Sequence, residues 1–162
     1  MTAKNSAHEV AVESTETVDM ERDIVNRRLF DAPRERVFRA FSDPTLLATW
    51  WGPNGFTNTI HEFELRPEGK WRLTMHGPNG ADFENESVFR EVTVPARIVF
   101  THLEPVHRFD MTMDFGESNG QTTLAWRMRF DSVEECAKVR PFIEAANEQN
   151  FDRLAECLRK MV

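Results

Sequence analysis

The chain has 162 residues and a mass of 18.8 kDa, the usual size of one domain, which excludes a multidomain assembly. Its composition, 40% hydrophobic and 29% charged, is globular, and no apolar run nears the roughly 20 residues that cross a bilayer, so membrane insertion is not expected. Twenty Lys and Arg against 27 Asp and Glu give a net charge of -7, which disfavours nucleic acid and anionic membrane surfaces as partners.

The opening stretch MTAKNSAHEVAVESTETVDM has neither a basic start nor a continuous apolar segment, so export is not expected and the reading is cytoplasmic. Residues 1–21 hold one of the bases and five of the acids, and they contain no aromatic residue. They predict a disordered acidic tail ahead of a single domain over 22–162. Arg22 to Asp31 carries Ile24, Val25, Leu29 and Phe30 and reads as a first strand. Pro33 suits a first helical turn, and Val37, Ala40 and Phe41 recur at helical spacing. Asp43-Pro44 then predicts an N-cap and a second short helix in which Leu46, Leu47, Trp50 and Trp51 share a face, ending at Gly52-Pro53.

From Phe56 to Phe130 the period switches to two, and turn residues divide the segment into about six antiparallel strands. Asn119-Gly120 is the strongest hairpin signal. A two-residue loop there sets Phe115 opposite Leu124, Met113 opposite Trp126, Met111 opposite Met128 and Phe109 opposite Phe130 on one face. The other face pairs Asp110 with Arg129 and Thr112 with Arg127, a solvated polar ladder. For the preceding hairpin, a four-residue loop Leu103 to Val106 would oppose Phe100 to Phe109 and His102 to His107. Around Gly77-Pro78-Asn79-Gly80 an odd loop opposes Met75 to Phe83 and Trp71 to Ser87. After Phe130, Ser132 can cap a turn through Cys136 and Val139, and Pro141 is placed to restart or kink the helix. Phe151, Leu154, Leu158 and Met161 then form one stripe of a terminal helix, with Asn147 a turn earlier. The two cysteines, Cys136 and Cys157, lie about 30 Å apart if that segment is helical, so they read as free thiols.

Strand, two short helices, a six-stranded meander and a long last helix is the order of the α+β helix-grip fold, in which a curved antiparallel sheet wraps the terminal helix. The runs Ala32-Pro33 with Val37 and Phe38, Asp43-Pro44, Leu46-Leu47, Trp50-Trp51-Gly52-Pro53, Leu65-Arg66-Pro67-Glu68-Gly69 and Glu144-Ala145-Ala146-Asn147 resemble the bacterial Hsp90-ATPase-activator-like branch of the START-like superfamily. The resemblance covers about residues 22–161, with Glu68 standing where that family's pattern usually has a second glycine. It implies a cavity between sheet and last helix, and no particular reaction, since the superfamily hosts lipid carriers, receptors, cyclases and co-chaperone domains.

Trp71, Met75, Phe83, Phe100, Phe109, Met111, Met113, Trp126 and Met128 fall on the apolar sheet face. On pattern alone they suit a filled core; with the resemblance they suit the walls of an adaptable ligand site. Asn85, Ser87, His102, His107 and Asn147 are its polar members on this register, and His61 joins them only if Phe63 and Leu65 face inward. Trp50 and Trp51, beside the Gly52 to Gly55 loop, are placed at the mouth. His102 and His107 are the only catalytic candidates, as acid or base. No metal or cofactor is expected, because a zinc site would need a third ligand that only His61 could supply. The chain has no tyrosine, Gly-rich phosphate loop or nucleophile elbow.

The expected function is non-catalytic binding of a small hydrophobic or aromatic molecule, with oligomeric state left open by the pattern. The rivals are a cyclase- or hydratase-like enzyme and an Hsp90-type co-chaperone. The last is disfavoured, since the activators that the family is named for contact Hsp90 through a separate N-terminal domain, which 21 residues cannot replace.

Overall fold

The computed structural model describes residues 17–161. The strands are β1 (Asp23–Phe30), β2 (Thr57–Phe63), β3 (Lys70–His76), β4 (Asp82–Thr93), β5 (Arg97–Glu104), β6 (Phe109–Ser118) and β7 (Gln121–Phe130). Helices α1 (Arg34–Ser42) and α2 (Pro44–Trp50) follow β1, and α3 (Val133–Lys160) closes the chain. The strands make one antiparallel sheet in the order β1-β7-β6-β5-β4-β3-β2, curved around α3 in the helix-grip arrangement.

Local chemistry explains the helix boundaries. Pro33 precedes the first turn of α1 as its N-cap, and the Arg34 N–H donates to the Glu117 carboxylate on β6, so a first-turn donor is satisfied by a distant strand. Asp43 ends α1 and caps α2, accepting from the Thr45 N–H. Ser132 caps α3 through the Glu135 N–H. Pro141, expected to restart or kink this segment, lies inside one uninterrupted 28-residue helix. The proline removes one main-chain bond, and the buried stripe of Phe151, Leu154 and Leu158 outweighs that local penalty.

The β6–β7 register is the expected one at every pair, from Phe109 opposite Phe130 to Phe115 opposite Leu124. The odd loop after β3 also stands, with Met75 opposite Phe83 and Trp71 opposite Ser87. The β5–β6 hairpin differs by two residues. His102 faces Phe109 and Phe100 faces Met111, so the connection is longer than four residues and His107 lies within it. Pro105 has no N–H to give the ladder, and Val106 at φ 67 turns the chain away from the strand path. Because the slip is by two, the inward face is unchanged.

The outer face is less solvated than the alternation implied. Thr112 and Asp114 are buried. Asp110 accepts from Thr101, and Arg129 grips Asp23 on β1 through both carboxylate oxygens at 2.7 and 2.8 Å. Burial pushes the Asp23 carboxyl up, but the Arg129 guanidinium together with the Asp19 N–H outweighs it and holds the group below its ordinary value. The expectation of disorder for residues 1–21 falls outside the described residues as far as residue 16. Residues 17–21 are tied down, with Arg129 donating to the Thr17 carbonyl and Arg140 to the Met20 carbonyl.

Glu68 occupies the left-handed region at φ 66, where the resembled family usually carries glycine. Its N–H donates to the Phe89 carbonyl and its carboxylate meets Arg90, so the turn keeps its shape without the glycine. Gly69 is the position that admits no side chain, because a Cβ there would lie 2.0 Å from the Glu64 carbonyl oxygen. Opposite outcomes follow for neighbouring residues. Gly69→Ala should cost about 3 kcal/mol or more by overpacking against backbone, whereas Glu68→Gly relieves about 1 kcal/mol of left-handed strain and should hold or raise the melting temperature. Thermal denaturation of the two variants checks this, and equal losses would refute it.

Candidate functional site

The inner face of the sheet has a packed end and a hollow end. At the packed end α1 lies on β6, with Phe38 and Phe41 rings 5.1 and 5.3 Å from Phe115. At the other end α3 and the segment after α2 bridge over the sheet and leave a cavity of about 350 Å³, within the usual range for ligand sites, about 300–1,000 Å³. Buried Trp71, Phe100, Trp126, Met128 and Phe130 form its depths, while the more exposed Pro53, Phe56, Phe83 and Pro105 mark its outer end.

Fourteen of the sixteen residues expected at the site line this cavity. They are Trp51, Trp71, Met75, Phe83, Asn85, Ser87, Phe100, His102, His107, Phe109, Met111, Trp126, Met128 and Asn147. Trp50 does not. It ends α2, is 1% exposed, and donates its indole N–H to the Ala40 carbonyl at 3.0 Å. The backbone turns extended at Trp51 (φ -66, ψ 135), and although the two rings still meet edge to face at 5.7 Å, only Trp51 reaches the cavity. Met113 is buried at the packed end, opposite Trp126 in the ladder but outside the cavity wall.

His61 is also excluded, although Phe63 does face inward against Trp71 and Phe89. A β-bulge between Ile60 and Glu62 breaks the alternation. It sends the His61 ring to Thr74 at 2.7 Å, so the three histidines do not converge.

Residues the pattern missed include Leu73 and Phe130, which share strand faces already assigned, and Ile143, Ala146 and Asn150, which with Asn147 form an i, i+3, i+4, i+7 stripe on α3. Gly52, Pro53, Phe56 and Pro105 come from loops and carry no periodic signal.

The loop over the cavity is fixed from α3. Arg153 donates to the main-chain carbonyls of Thr49, Trp51, Gly52, Pro53 and Phe56 at 2.8–3.3 Å. Asn150 accepts from the Gly52 N–H and donates to the Trp50 carbonyl, and Gln149 accepts from the Asn54 N–H. Held this way, the Trp51 ring lies 5.1 Å from Trp71 and 5.5 Å from Trp126. Asn147 donates to the Asn26 side chain and to the Met128 sulfur, which docks α3 on β1 and β7.

His102 stacks on Phe109 at 4.7 Å and its Nε2 meets the Pro105 carbonyl at 3.2 Å. A carbonyl only accepts, so Nε2 carries the proton and Nδ1 of the neutral ring is basic. His107 Nδ1 lies 2.8 Å from the Glu135 carboxylate, close enough for an ion pair but not aligned as a hydrogen bond. Burial pushes the thiols of Cys136 and Cys157 up, so neither is an activated nucleophile. Among the described residues no Asp, Glu, Lys or Arg lines the cavity.

The sequence model of a family described as Activator of Hsp90 ATPase homolog 1-like protein matches residues 31–159. The chain belongs to this family. Solved structures of the same fold include a Nitrosomonas europaea protein, 21% identical over 88% of this chain and 97% of its own, with a TM-score of 0.81. A solution structure from Arthrobacter aurescens is 22% identical over 93% and 94% of the two chains, also at 0.81. The AHSA1 protein of Silicibacter pomeroyi is 20% identical over 85% and 97%, at 0.70. No curated protein matches the chain. Among the described residues no helix is long and apolar enough to cross a membrane.

Burial holds the His102 ring below its ordinary pKa. The unfolded chain takes up that proton as the pH falls through about 6.5, while the folded chain does not, so stability is lost from there downward until the folded ring titrates too. Urea denaturation at neutral pH and about one to two units lower should show this loss, and His102→Phe should show less of it. A wild-type profile that is flat over this range would contradict the assignment.

Proposed function

We propose that the chain is a binding protein that encloses one small apolar or aromatic molecule between the sheet and α3 and does not turn it over. The observation that carries this reading is the cavity itself, about 350 Å³ walled by tryptophan, phenylalanine and methionine on the inner face of the sheet. Methionine side chains at Met75, Met111 and Met128 can repack around ligands of different outline. A few polar groups are present to orient the guest.

Two other readings each have one supporting observation. The basic Nδ1 of neutral His102 favours acid-base catalysis, but no carboxylate shares the cavity among the described residues. The family's description favours a chaperone partner. A dose-dependent rise in the ATPase rate of the cell's own Hsp90 homologue would establish that role.

Neutral N-phenylnaphthylamine should bind at micromolar strength and quench tryptophan emission. Ala146→Phe, which adds a ring to the α3 side of the cavity, should weaken binding by about tenfold with no loss of melting temperature. If the space were already filled, the same variant would lose about 1–3 kcal/mol of stability and the wild type would show no saturable binding. That pair of results would remove the proposed site.

A further inference from the structure

Ser87 on β4 and His102 on β5 stand opposite each other in the sheet ladder, and both line the cavity. They are 3% and 8% exposed. Side chains directly opposed on one sheet face have Cβ atoms about 4.5–5.5 Å apart, so the two serve one corner of the cavity. Ser87 Oγ takes part in no hydrogen bond among the described residues. His102 is held through one ring nitrogen, with Nε2 donating to the Pro105 carbonyl and the ring stacked on Phe109, which leaves Nδ1 as an acceptor. Both atoms are also open. The polar atoms shut in without a hydrogen bond include Nε1 of Trp71 and Trp126 and Nδ1 of His107, but neither Ser87 Oγ nor His102 Nδ1. On side chains this deeply buried, at the inner face of the sheet, that opening is the cavity.

Resting on the binding reading above, we infer that the ligand carries a neutral hydroxyl, as an alcohol or phenol does, which donates to His102 Nδ1 and accepts from the Ser87 hydroxyl. A hydroxyl offers a donor and acceptor lone pairs on one atom, and this corner presents a matching acceptor and donor. A ketone or ether only accepts and would leave Nδ1 unmet. A ring N–H only donates and would leave the Ser87 proton unmet, while a hydrocarbon would strand both. A carboxylate would be buried without a counter-charge. Burial disfavours the charged form of His102, His107 already faces the Glu135 carboxylate, and no Lys or Arg lines the cavity among the described residues. An ammonium group fares no better, since no Asp or Glu lines it either.

Fluorenol, fluorenone and fluorene carboxylate provide the test, sharing one ring system and differing in whether they donate, only accept or carry charge. At neutral pH the full chain should bind fluorenol about fivefold more tightly than fluorenone, the ratio expected of one net hydrogen bond, and the carboxylate more weakly than either. In protein with nitrogen-labelled histidine, fluorenol should move the His102 Nδ1 signal upfield and leave Nε2 protonated, while fluorenone leaves Nδ1 where it was. The affinity ratio should collapse towards one in His102→Phe, and Ser87→Ala should weaken fluorenol binding. The wild-type spectra decide the matter if these variants do not fold. Equal affinities for fluorenol and fluorenone with an unmoved Nδ1 signal would overturn this inference and leave the apolar site standing. Tightest binding of the carboxylate would overturn the neutrality of the ligand. Failure of all three probes to bind would overturn the binding reading and this inference together.

Discussion

The guanidinium of Arg153 holds the site together. One side chain from α3 donates to five main-chain carbonyls between Thr49 and Phe56. This segment joins α2 to β2 and has no regular ladder of its own, so its carbonyls need donors from elsewhere. Burial lowers the Arg153 pKa from its ordinary value, but arginine stays charged in proteins, and its planar fork of donors suits an array of carbonyls better than a lysine would. With Asn150 and Gln149 taking the Gly52 and Asn54 N–H groups, helix and loop become one unit. The position of Trp51 follows from that, and so does the space that it helps to enclose.

The same sheet face serves two purposes because different elements cover it. Over Phe115 and Leu124 the short α1 packs its phenylalanines directly, giving an interior of ordinary density. Over Met111, Met128 and Trp126 the cover is α3, which is held off by its polar docking through Asn147 and Asn26 and presents Ala146 and Ile143. Small and medium side chains on the helix, set against a concave sheet, leave volume unfilled. The polar groups in that volume are few and uncharged, apart from two histidines, one of them stacked on Phe109 and kept neutral by burial.

Much of this was legible in the sequence where one strong local signal determines many positions. Asn119-Gly120 set the whole β6–β7 register, and the facing of Met75 with Phe83 chose the parity of the preceding loop. Legibility failed where a local irregularity resets the count. The bulge after Ile60 turned His61 outward, the longer loop around Pro105 moved His102 from His107 to Phe109, and the change to extended backbone at Trp51 left only one of two adjacent tryptophans on the cavity wall. Arg153 could not be found at all from pattern, since it reads as one more charge on an amphipathic helix. Its partners are backbone carbonyls, which leave no mark in the sequence.

The account turns on the space between Trp71, Trp126 and Met128 being open to an apolar guest. Xenon tests it most directly, since it enters dry apolar cavities without needing polar partners. In crystals of the protein held under xenon pressure, the account predicts ordered xenon bounded by Trp51, Trp71, Trp126 and Met128. A structure without xenon there, with Trp51 or the methionines collapsed into the volume and α3 flush against the sheet, would contradict it.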